Sequence, residues 1–252
     1  MGRIIAVVNQ KGGVGKTTSA VNLTAALREK GARVLLCDFD PQANATSGMG
    51  ITRRAKYTSY DMVINDVPAL DVVQRTPYGD VIPSSSALAG AAVELIELEE
   101  REFQLKKALH PLQALYDYIL IDCPPSLELL TLNGLCAADS ILVPVQCEYY
   151  ALEGLSDLMT TLRAVKRRLN PNLTIFGVLL TMFDGRTNFS GEVAQEVRKH
   201  FPGKVYATAI PRNVRLAEAP SHGKPVTAYD RHSRGAQAYL AVAEEIMGGN
   251  KR

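Results

Sequence analysis

The sequence predicts an α/β fold, with a doubly wound, mostly parallel sheet that carries helices on both faces. Short runs of apolar, often β-branched residues alternate with longer segments of helical periodicity along the whole chain. The apolar runs lack a polar side at every second residue, which is typical of strands buried on both faces. No internal repeat or long linker interrupts the alternation. Residues 1–252 are therefore expected to form a single domain.

The first predicted strand and helix flank a glycine-rich turn. The strand is the apolar run Ile4–Val8, and the helix is predicted over Thr17–Lys30. Between them, Gly12, Gly13 and Gly15 allow the backbone to turn its N–H groups inward around a polyphosphate. The start of the helix would add unpaired N–H groups and the positive end of its dipole. A phosphate-binding loop is expected here.

The loop also has the side chains that nucleotide chemistry needs. Lys16 is placed to reach the β- and γ-phosphates, and the Thr17 hydroxyl is placed to ligate Mg²⁺. The common form of this loop begins with a glycine at the position of Gln10, and this chain has a second lysine, Lys11, beside it. The candidate nucleotide-binding residues of the loop are Lys11, Gly12, Gly13, Val14, Gly15, Lys16, Thr17 and Thr18.

Later apolar runs predict the rest of the sheet. The clear strands are Arg33–Cys37, Tyr118–Asp122, Ser140–Val145 and Thr174–Thr181. A further strand is expected at Val205–Ile210, and weaker, short strands at Leu70–Arg75 and Asp80–Pro83.

Carboxylates stand where two of these strands end. Asp38 and Asp40 follow the second strand, and Asp122 ends a later one. The carboxyl ends of parallel strands meet at one edge of a sheet, so the three side chains are expected beside the loop. Hydrolysis of a γ-phosphate needs Mg²⁺, charge neutralisation and an oriented water. Asp122 is placed to hold the metal, and either Asp38 or Asp40 would face the water; the residues alone do not rank these two.

The K-G-G-x-G-K-T-T loop from Lys11 to Thr18 resembles the deviant Walker A loop of the ParA/MinD superfamily, which are P-loop NTPases of the SIMIBI type. Residues 34–44 are similar to the switch I motif of the ParA proteins. The resemblance implies that Asp40 is the catalytic aspartate, close to the metal, and that Asp122 is the Walker B residue. It also implies that Lys16 and Lys11 both act in catalysis, with Lys11 reaching the partner's nucleotide across a dimer interface.

The residues expected around the nucleotide base favour ATP over GTP. GTPases of this superfamily have an Asn-Lys-x-Asp signature after the strand Thr174–Thr181, and the corresponding stretch here, which includes Met182, lacks the lysine. Pro211 and Asn213 look like the family's adenine-contacting Pro-x-Asn turn. The expected contacts to the base are Met182, Pro211 and Asn213.

Two further stretches, residues 148–155 and 212–225, look very like the chromosomal ParA proteins. That resemblance implies an ATP-dependent homodimer that binds double-stranded DNA without sequence preference and is released when a ParB-like (Spo0J-like) protein stimulates hydrolysis. It implies a cytoplasmic, nucleoid-associated protein. Whether a chromosome or a plasmid is moved stays open.

The formal net charge of +2 is too small to indicate DNA binding by itself. A basic surface would have to be local and assembled from two subunits. The candidate DNA-binding residues are Arg186, Arg215 and Lys224 in loops, with Arg163, Lys166 and Arg167 on a predicted helix.

The alternative is a membrane-associated positioning ATPase of the MinD type, which ends in a basic amphipathic helix. Here the last predicted helix contains Glu244 and Glu245 and an alanine-rich apolar line, so no membrane partner is expected. The four cysteines are far apart, without a C-x-x-C pair, which argues against iron–sulfur and metal-cluster relatives.

Overall fold

The computed structural model describes residues 2–52, 55–126, 128–148 and 151–249, and of residues 151–153 and 249 only the backbone. Tyr149 and Tyr150, which belong to one stretch resembling the chromosomal ParA proteins, lie outside the described residues. No helix in the described ranges is long and apolar enough to cross a bilayer.

Within the described residues, seven strands form one sheet. The strands are β1 (Arg3–Val7), β2 (Val34–Asp38), β3 (Gln74–Thr76), β4 (Gly79–Ile82), β5 (Tyr118–Asp122), β6 (Ser140–Gln146) and β7 (Thr174–Thr181). Their order across the sheet is β3-β4-β2-β5-β1-β6-β7. All neighbours pair parallel except β3, which is antiparallel to β4. The mostly parallel sheet predicted from the sequence is confirmed.

Helices cover both faces of this sheet. They are α1 (Lys16–Glu29), α2 (Asn44–Gly48), α3 (Ser59–Ile64), α4 (Ala69–Val72), α5 (Leu88–Glu94), α6 (Gln104–Leu109), α7 (Leu129–Ala137), α8 (Ala151–Arg168), α9 (Asn188–His200), α10 (Val214–Glu218), α11 (Val226–Tyr229) and α12 (Arg234–Gly249). Single 3₁₀ turns follow α5, α6 and α10.

Alternate residues of the strands enter two separate cores. On β1, Ile4 and Ala6 pack on the side of α3 and α5 to α9, whereas Ile5 and Val7 pack on the side of α1 and α12. Burial of both sets removes apolar surface from water on each face, which explains why the strands read as continuous apolar runs.

The strand register places the functional ends together. Val7 on β1 pairs with Asp122 on β5, and Asp38 on β2 pairs with the same residue from the other side. The carboxyl ends of the three central strands are therefore level, directly below the loop that joins β1 to α1.

Two of the strand predictions differ from the structure. Most of Leu70–Arg75 is not a strand, because Pro68 starts the helical turn α4, which buries both Ala69 and Val72. Only the last two residues of the prediction, Gln74 and Arg75, belong to β3. Val205–Ile210 makes only isolated contacts with β7. Tyr206 donates a backbone hydrogen bond to Val178, and Ile210 donates one to Leu180. The two donors are four residues apart but the two acceptors only two residues apart, so the pairing is not continuous and no β-ladder forms.

Candidate nucleotide-binding site and basic surfaces

The loop between β1 and α1 has the backbone shape that its glycines allow. Gly13 and Gly15 have φ of 75° and 89°, in the left-handed region, and Gly15 caps α1. A Cβ at Gly12 or Gly13 would meet no atom within 4 Å, so the loop faces open space. The Thr181 hydroxyl donates a hydrogen bond of 2.8 Å to the carbonyl of Val14 and ties the loop to the end of β7.

Both lysines of the loop are held by contacts within the chain. Lys16 is buried, and its Nζ donates to the carbonyl of Lys11 at 3.1 Å. Burial lowers the pKa of Lys16, against the nearby carboxylate of Asp122, which raises it. The Nζ of Lys11 lies 3.4 Å from a carboxylate oxygen of Glu148. Lys16 thus points into the loop, while Lys11 turns toward the segment after β6.

The two aspartates after β2 have different surroundings. One oxygen of Asp38 accepts hydrogen bonds of 2.7 Å from both the N–H and the hydroxyl of Thr46. Burial nevertheless raises the pKa of Asp38 to about 6. Asp40 is less enclosed, and one of its oxygens accepts a hydrogen bond from the Gln42 N–H at 2.9 Å. Asp38 is anchored by its neighbours, and Asp40 is the better placed of the two to meet a ligand.

Asp122 is fully buried, and neither of its carboxylate oxygens has a hydrogen-bond partner among the described residues. Burial, and next the charge of Asp38, raise its pKa well above the usual range. The nearby Thr17 hydroxyl favours the ionised form, although it makes no full hydrogen bond to the carboxylate. Such an orphaned buried carboxylate normally has a functional explanation. A divalent cation prefers hard oxygen ligands, and Asp122 together with the Thr17 hydroxyl fits Mg²⁺.

A cavity of about 380 Å³ opens beside the loop. It brings Gly15 and Thr18 of the phosphate loop together with Met182, Pro211 and Asn213, the three residues predicted to contact the base. This volume is in the range of small-ligand pockets. Every residue predicted to bind a nucleotide is therefore on this loop or on the wall of the adjoining cavity.

Asn213 has a second task that the sequence did not indicate. Its Oδ1 accepts the backbone N–H of Arg215 at 2.8 Å and so caps α10. The amide Nδ2 makes no hydrogen bond within the described residues, which leaves it as the group available to an acceptor on a base. The residue after β7, Met182, is also unusual because its φ is 50°, a conformation that costs about 1 kcal/mol or more for a side chain with a Cβ.

The structure divides the six predicted DNA-binding residues into two groups. Arg186 and Arg215 lie in the segments beyond the carboxyl end of β7, and Lys224 is exposed in the loop before α11. Arg163 and Lys166, in contrast, line a groove with the first residues of β7, Thr174 and Ile175. The two groups therefore lie near opposite ends of β7, a strand of 8 residues that spans about 26 Å at 3.3 Å per residue. One subunit does not bring the six together.

Two of the three residues in the first group, Arg186 and Arg215, are already paired with acids of the same chain. Arg186 makes a bidentate contact with Asp184, which lowers the pKa of that carboxyl to about 2. Arg215 contacts Glu218 at 2.7 Å and Asp230 at 3.2 Å. Because these groups are largely exposed, such pairs contribute little to stability.

Sequence reasoning missed the residues that hold the aspartates. Thr46 donates to Asp38, and its hydroxyl in turn accepts the N–H of Ser84 at 2.8 Å. The Ser84 hydroxyl donates to the carbonyl of Asp40, also at 2.8 Å. These contacts depend on β4 lying next to β2, so no local pattern in the chain announces them.

The chain has close relatives of known families. Residues 2–175 match the family described as an AAA domain. The chain is 57% identical over 249 residues to the sporulation initiation inhibitor protein Soj of Bacillus subtilis (strain 168), and the match covers 98% of each protein. It is 54% identical over 250 residues to the chromosome partitioning protein ParA of Myxococcus xanthus (strain DK1622), covering 98% of this chain and 88% of that protein.

A solved structure of another protein has the same fold. The chain resembles the cobyrinic acid a,c-diamide synthase from Mycobacterium smegmatis with bound ADP and magnesium, with a TM-score of 0.87 and 38% identity, covering 100% of this chain and 96% of that one. The identity to Soj and ParA is considerably higher, and neither of these relatives is named as a septum-positioning protein. With more than half of its residues identical to theirs along nearly its full length, the chain belongs to the ParA/Soj family of chromosome-partitioning ATPases, within the ParA/MinD superfamily.

Proposed function

We propose that this chain hydrolyses ATP with Mg²⁺ and uses the ATP-bound state to close a homodimer on DNA during chromosome or plasmid partitioning. The observation that supports this most is the arrangement around Asp122. The orphaned carboxylate lies beside Thr17 and Lys16 on the phosphate loop, and the cavity for a base opens next to it.

Each residue of the site has a role that follows from its position. The N–H groups of Gly12 to Thr18 surround the phosphates, and Lys16 places its charge on the β- and γ-phosphates. Thr17 and Asp122 would hold Mg²⁺, and the metal would supply neutralisation of the charge on the phosphate oxygens. Asp40, close to the metal, orients the attacking water and accepts its proton.

The base is held on the other side of the loop. Met182 and Pro211 pack against its faces, and the Nδ2 group of Asn213 donates to a ring nitrogen. Asn213 thereby connects the base to α10, because its other end caps that helix.

Lys11 completes the site from the partner subunit. Its Nζ contacts Glu148 of its own chain at 3.4 Å, and about a third of its side chain is exposed. In the dimer Lys11 leaves this carboxylate and reaches the partner's phosphates, where a charge-assisted contact replaces an exposed and weak one. Hydrolysis is slow in the absence of an activator, and a ParB-like protein is the activator we expect.

DNA binding is assigned to Arg186, Arg215 and Lys224, at the same edge of the sheet as the nucleotide. Two subunits double this set and form one basic surface without a strongly basic chain. We leave Arg163, Lys166 and their neighbour Arg167 out of the proposed surface, because the first two line a groove near the other end of β7. The complex is nucleoid-associated in a cytoplasmic setting, and a membrane is not a partner.

The decisive experiment is the Asp40→Ala variant, which should bind ATP but not hydrolyse it. Gel filtration and binding to a DNA duplex are measured with ATP, with ADP and without nucleotide. We expect a stable dimer that binds DNA with ATP alone, and DNA affinity that falls steeply with salt because phosphate contacts release counterions.

Asp38→Ala provides the comparison, because its loss should disturb the fold around Thr46 rather than trap a dimer. Normal hydrolysis by the Asp40→Ala protein would show that another group orients the water. Equal DNA affinity with ADP and with ATP would refute the nucleotide-timed binding.

A further inference from the structure

The groove beside α8 differs from an ordinary basic surface because its floor is apolar. Its volume is about 340 Å³. The floor consists of Ile141, Met159, Leu162, Leu173 and Ile175, and the rim of Arg163, Lys166 and Lys204. Nucleic-acid phosphates would satisfy the rim and leave the floor in contact with water. A segment with both apolar and acidic side chains would satisfy both parts.

The cations on this rim are not neutralised. Arg163, Lys166 and Lys204 form no salt bridge with any residue in the described ranges, in contrast to Arg186 and Arg215. The edge of the sheet is also open here. The segment that covers β7 makes its first backbone hydrogen bonds at Val178, so the start of the strand, which lines the groove, is left without this cover.

A complementary surface exists elsewhere on the chain, in residues 93–99, which we call the acidic segment. It comprises the end of α5 and the 3₁₀ turn after it, and its Val93, Ile96 and Leu98 are 69%, 54% and 37% exposed. The adjacent carboxylates of Glu97 and Glu99 are exposed and make no salt bridge within the described residues. Apolar side chains this exposed, between uncompensated acids, indicate an interaction site.

The two surfaces are on opposite sides of the molecule. The acidic segment follows β4, next to the β3 edge of the sheet, and packs beside α3. The groove lies along β7, the strand at the other edge. They are too far apart to meet within one chain, so any contact between them joins two copies.

We propose that the groove of one copy binds the acidic segment of a second copy, with Ile96 and Val93 on the apolar floor and Glu97 and Glu99 against the basic rim. The contact is heterologous, so it extends from copy to copy and does not close into a pair. It is distinct from the ATP-dependent dimer, which uses the loop edge of the sheet. It supplies a way for partition complexes to associate side by side, and it reassigns Lys166 from DNA contact to self-association.

A concave apolar floor favours an inserted side chain over a lipid surface. Binding to a membrane requires apolar side chains that project from the protein, whereas Leu162 and Leu173 are 5% and 2% exposed at the base of the groove. DNA remains the competing occupant because of the charge of the rim.

Charge reversal tests the contact on the full-length protein without nucleotide, so that the ATP dimer does not contribute. Sedimentation velocity over a range of concentrations measures association of the wild type, Lys166→Glu, Glu97→Lys and the double variant. Each single reversal places like charges opposite each other and should weaken association at least about tenfold, and the double variant should recover most of the loss.

Matched controls change the same charges outside the contact. Arg168→Glu lies on α8 away from the groove, and Glu192→Lys lies on α9. Both should associate like the wild type.

Three results would overturn the proposal. They are a wild type that stays monomeric at all concentrations, single reversals that behave like their controls, and a double variant that does not recover. Loss of ATP-dependent binding to a DNA duplex in Lys166→Glu, with unchanged sedimentation of the nucleotide-free protein, would identify the groove as a DNA surface instead. None of these results depends on hydrolysis, so failure here is separable from failure of the proposed ATPase function.

Discussion

The buried carboxylate of Asp122 should lower the stability of the fold while providing a ligand for the metal. The Asp122→Asn variant measures this loss of stability. The carboxylate is fully buried, both of its oxygens lack hydrogen bonds, and Asp38 adds a like charge close by. A buried, unsatisfied group of this kind costs about 1–3 kcal/mol. An amide of the same shape removes the charge and most of the repulsion. We expect the nucleotide-free variant to be more stable than the wild type by roughly 1–2 kcal/mol.

For a chain of this length, that gain corresponds to a rise in Tm of roughly 2–8 °C. Circular dichroism melting without nucleotide or Mg²⁺ measures it. In the same variant, Mg²⁺-dependent hydrolysis should fall at least about a hundredfold, because a metal ligand at the phosphates is worth several kcal/mol in the transition state.

The gain in stability should depend on pH. The pKa of Asp122 is raised in the folded protein above its value of 3.8 in the unfolded chain, so ionisation favours unfolding. The cost is absent below pH 3.8 and grows as the pH rises toward the pKa of the folded state. The advantage of Asp122→Asn over the wild type should therefore shrink when melting is repeated at pH 5 and then at pH 4.

Asp38→Asn is the matched control, because the same chemical change is made one strand away. Both oxygens of Asp38 accept hydrogen bonds, from Thr46 and from the Asp40 N–H, and an amide nitrogen would oppose one of these donors. No stabilisation is expected there. If Asp122→Asn melts at or below the wild-type temperature, Asp122 is not a destabilising buried charge. If the variant hydrolyses ATP normally, Asp122 is not a metal ligand.

Two further substitutions test contacts around the basic loops. Asp184→Asn removes the carboxylate that neutralises Arg186, so DNA affinity should rise severalfold, with a salt dependence steeper by about one phosphate contact in a filter-binding or anisotropy titration. Gly223→Ala should lower the free energy of unfolding by about 2–3 kcal/mol in a urea titration, because φ is 61° and the new Cβ would lie 3.0 Å from the Cα of Gly50. Gly203→Ala, where φ is 69° but no atom lies within 4 Å, should lose only about 1–2 kcal/mol; equal losses would mean that the Gly50 contact is irrelevant.

The sequence predicted the shape of the loop and the position of Asp122 at a strand end, because both are determined locally. A short apolar strand, three glycines and Lys16 specify the loop within a single turn, and Asp122 is the last residue of its strand. Parallel pairing then aligns strand ends, so Val7, Asp38 and Asp122 had to lie level with one another. No long-range information beyond the sheet itself was needed.

The contacts that depend on which strands are neighbours were not predictable in the same way. Ser84 reaches Asp40 only because β4 pairs with β2, and a pattern along the chain does not contain that choice. The failure at Val205–Ile210 has the same origin. Its residues have strand propensity, but the edge of β7 accepts them at only two points, and tertiary context overrides the local preference.

The availability of basic side chains for binding was the hardest property to predict from the sequence, since it depends on which carboxylates lie around each one. Arg186 and Arg215 were expected to be exposed DNA contacts, and each is paired with acids of its own chain. A subunit with paired arginines presents little net positive potential there, which agrees with the proposal that only the ATP-bound dimer binds DNA. In the proposed dimer the set would be doubled, and the DNA phosphates would compete with the carboxylates for the arginines of both subunits at once. Lys166 has no salt bridge among the described residues, so it requires no second subunit to make its charge available. The groove that it lines with apolar residues is therefore suited to a partner whose binding does not depend on nucleotide.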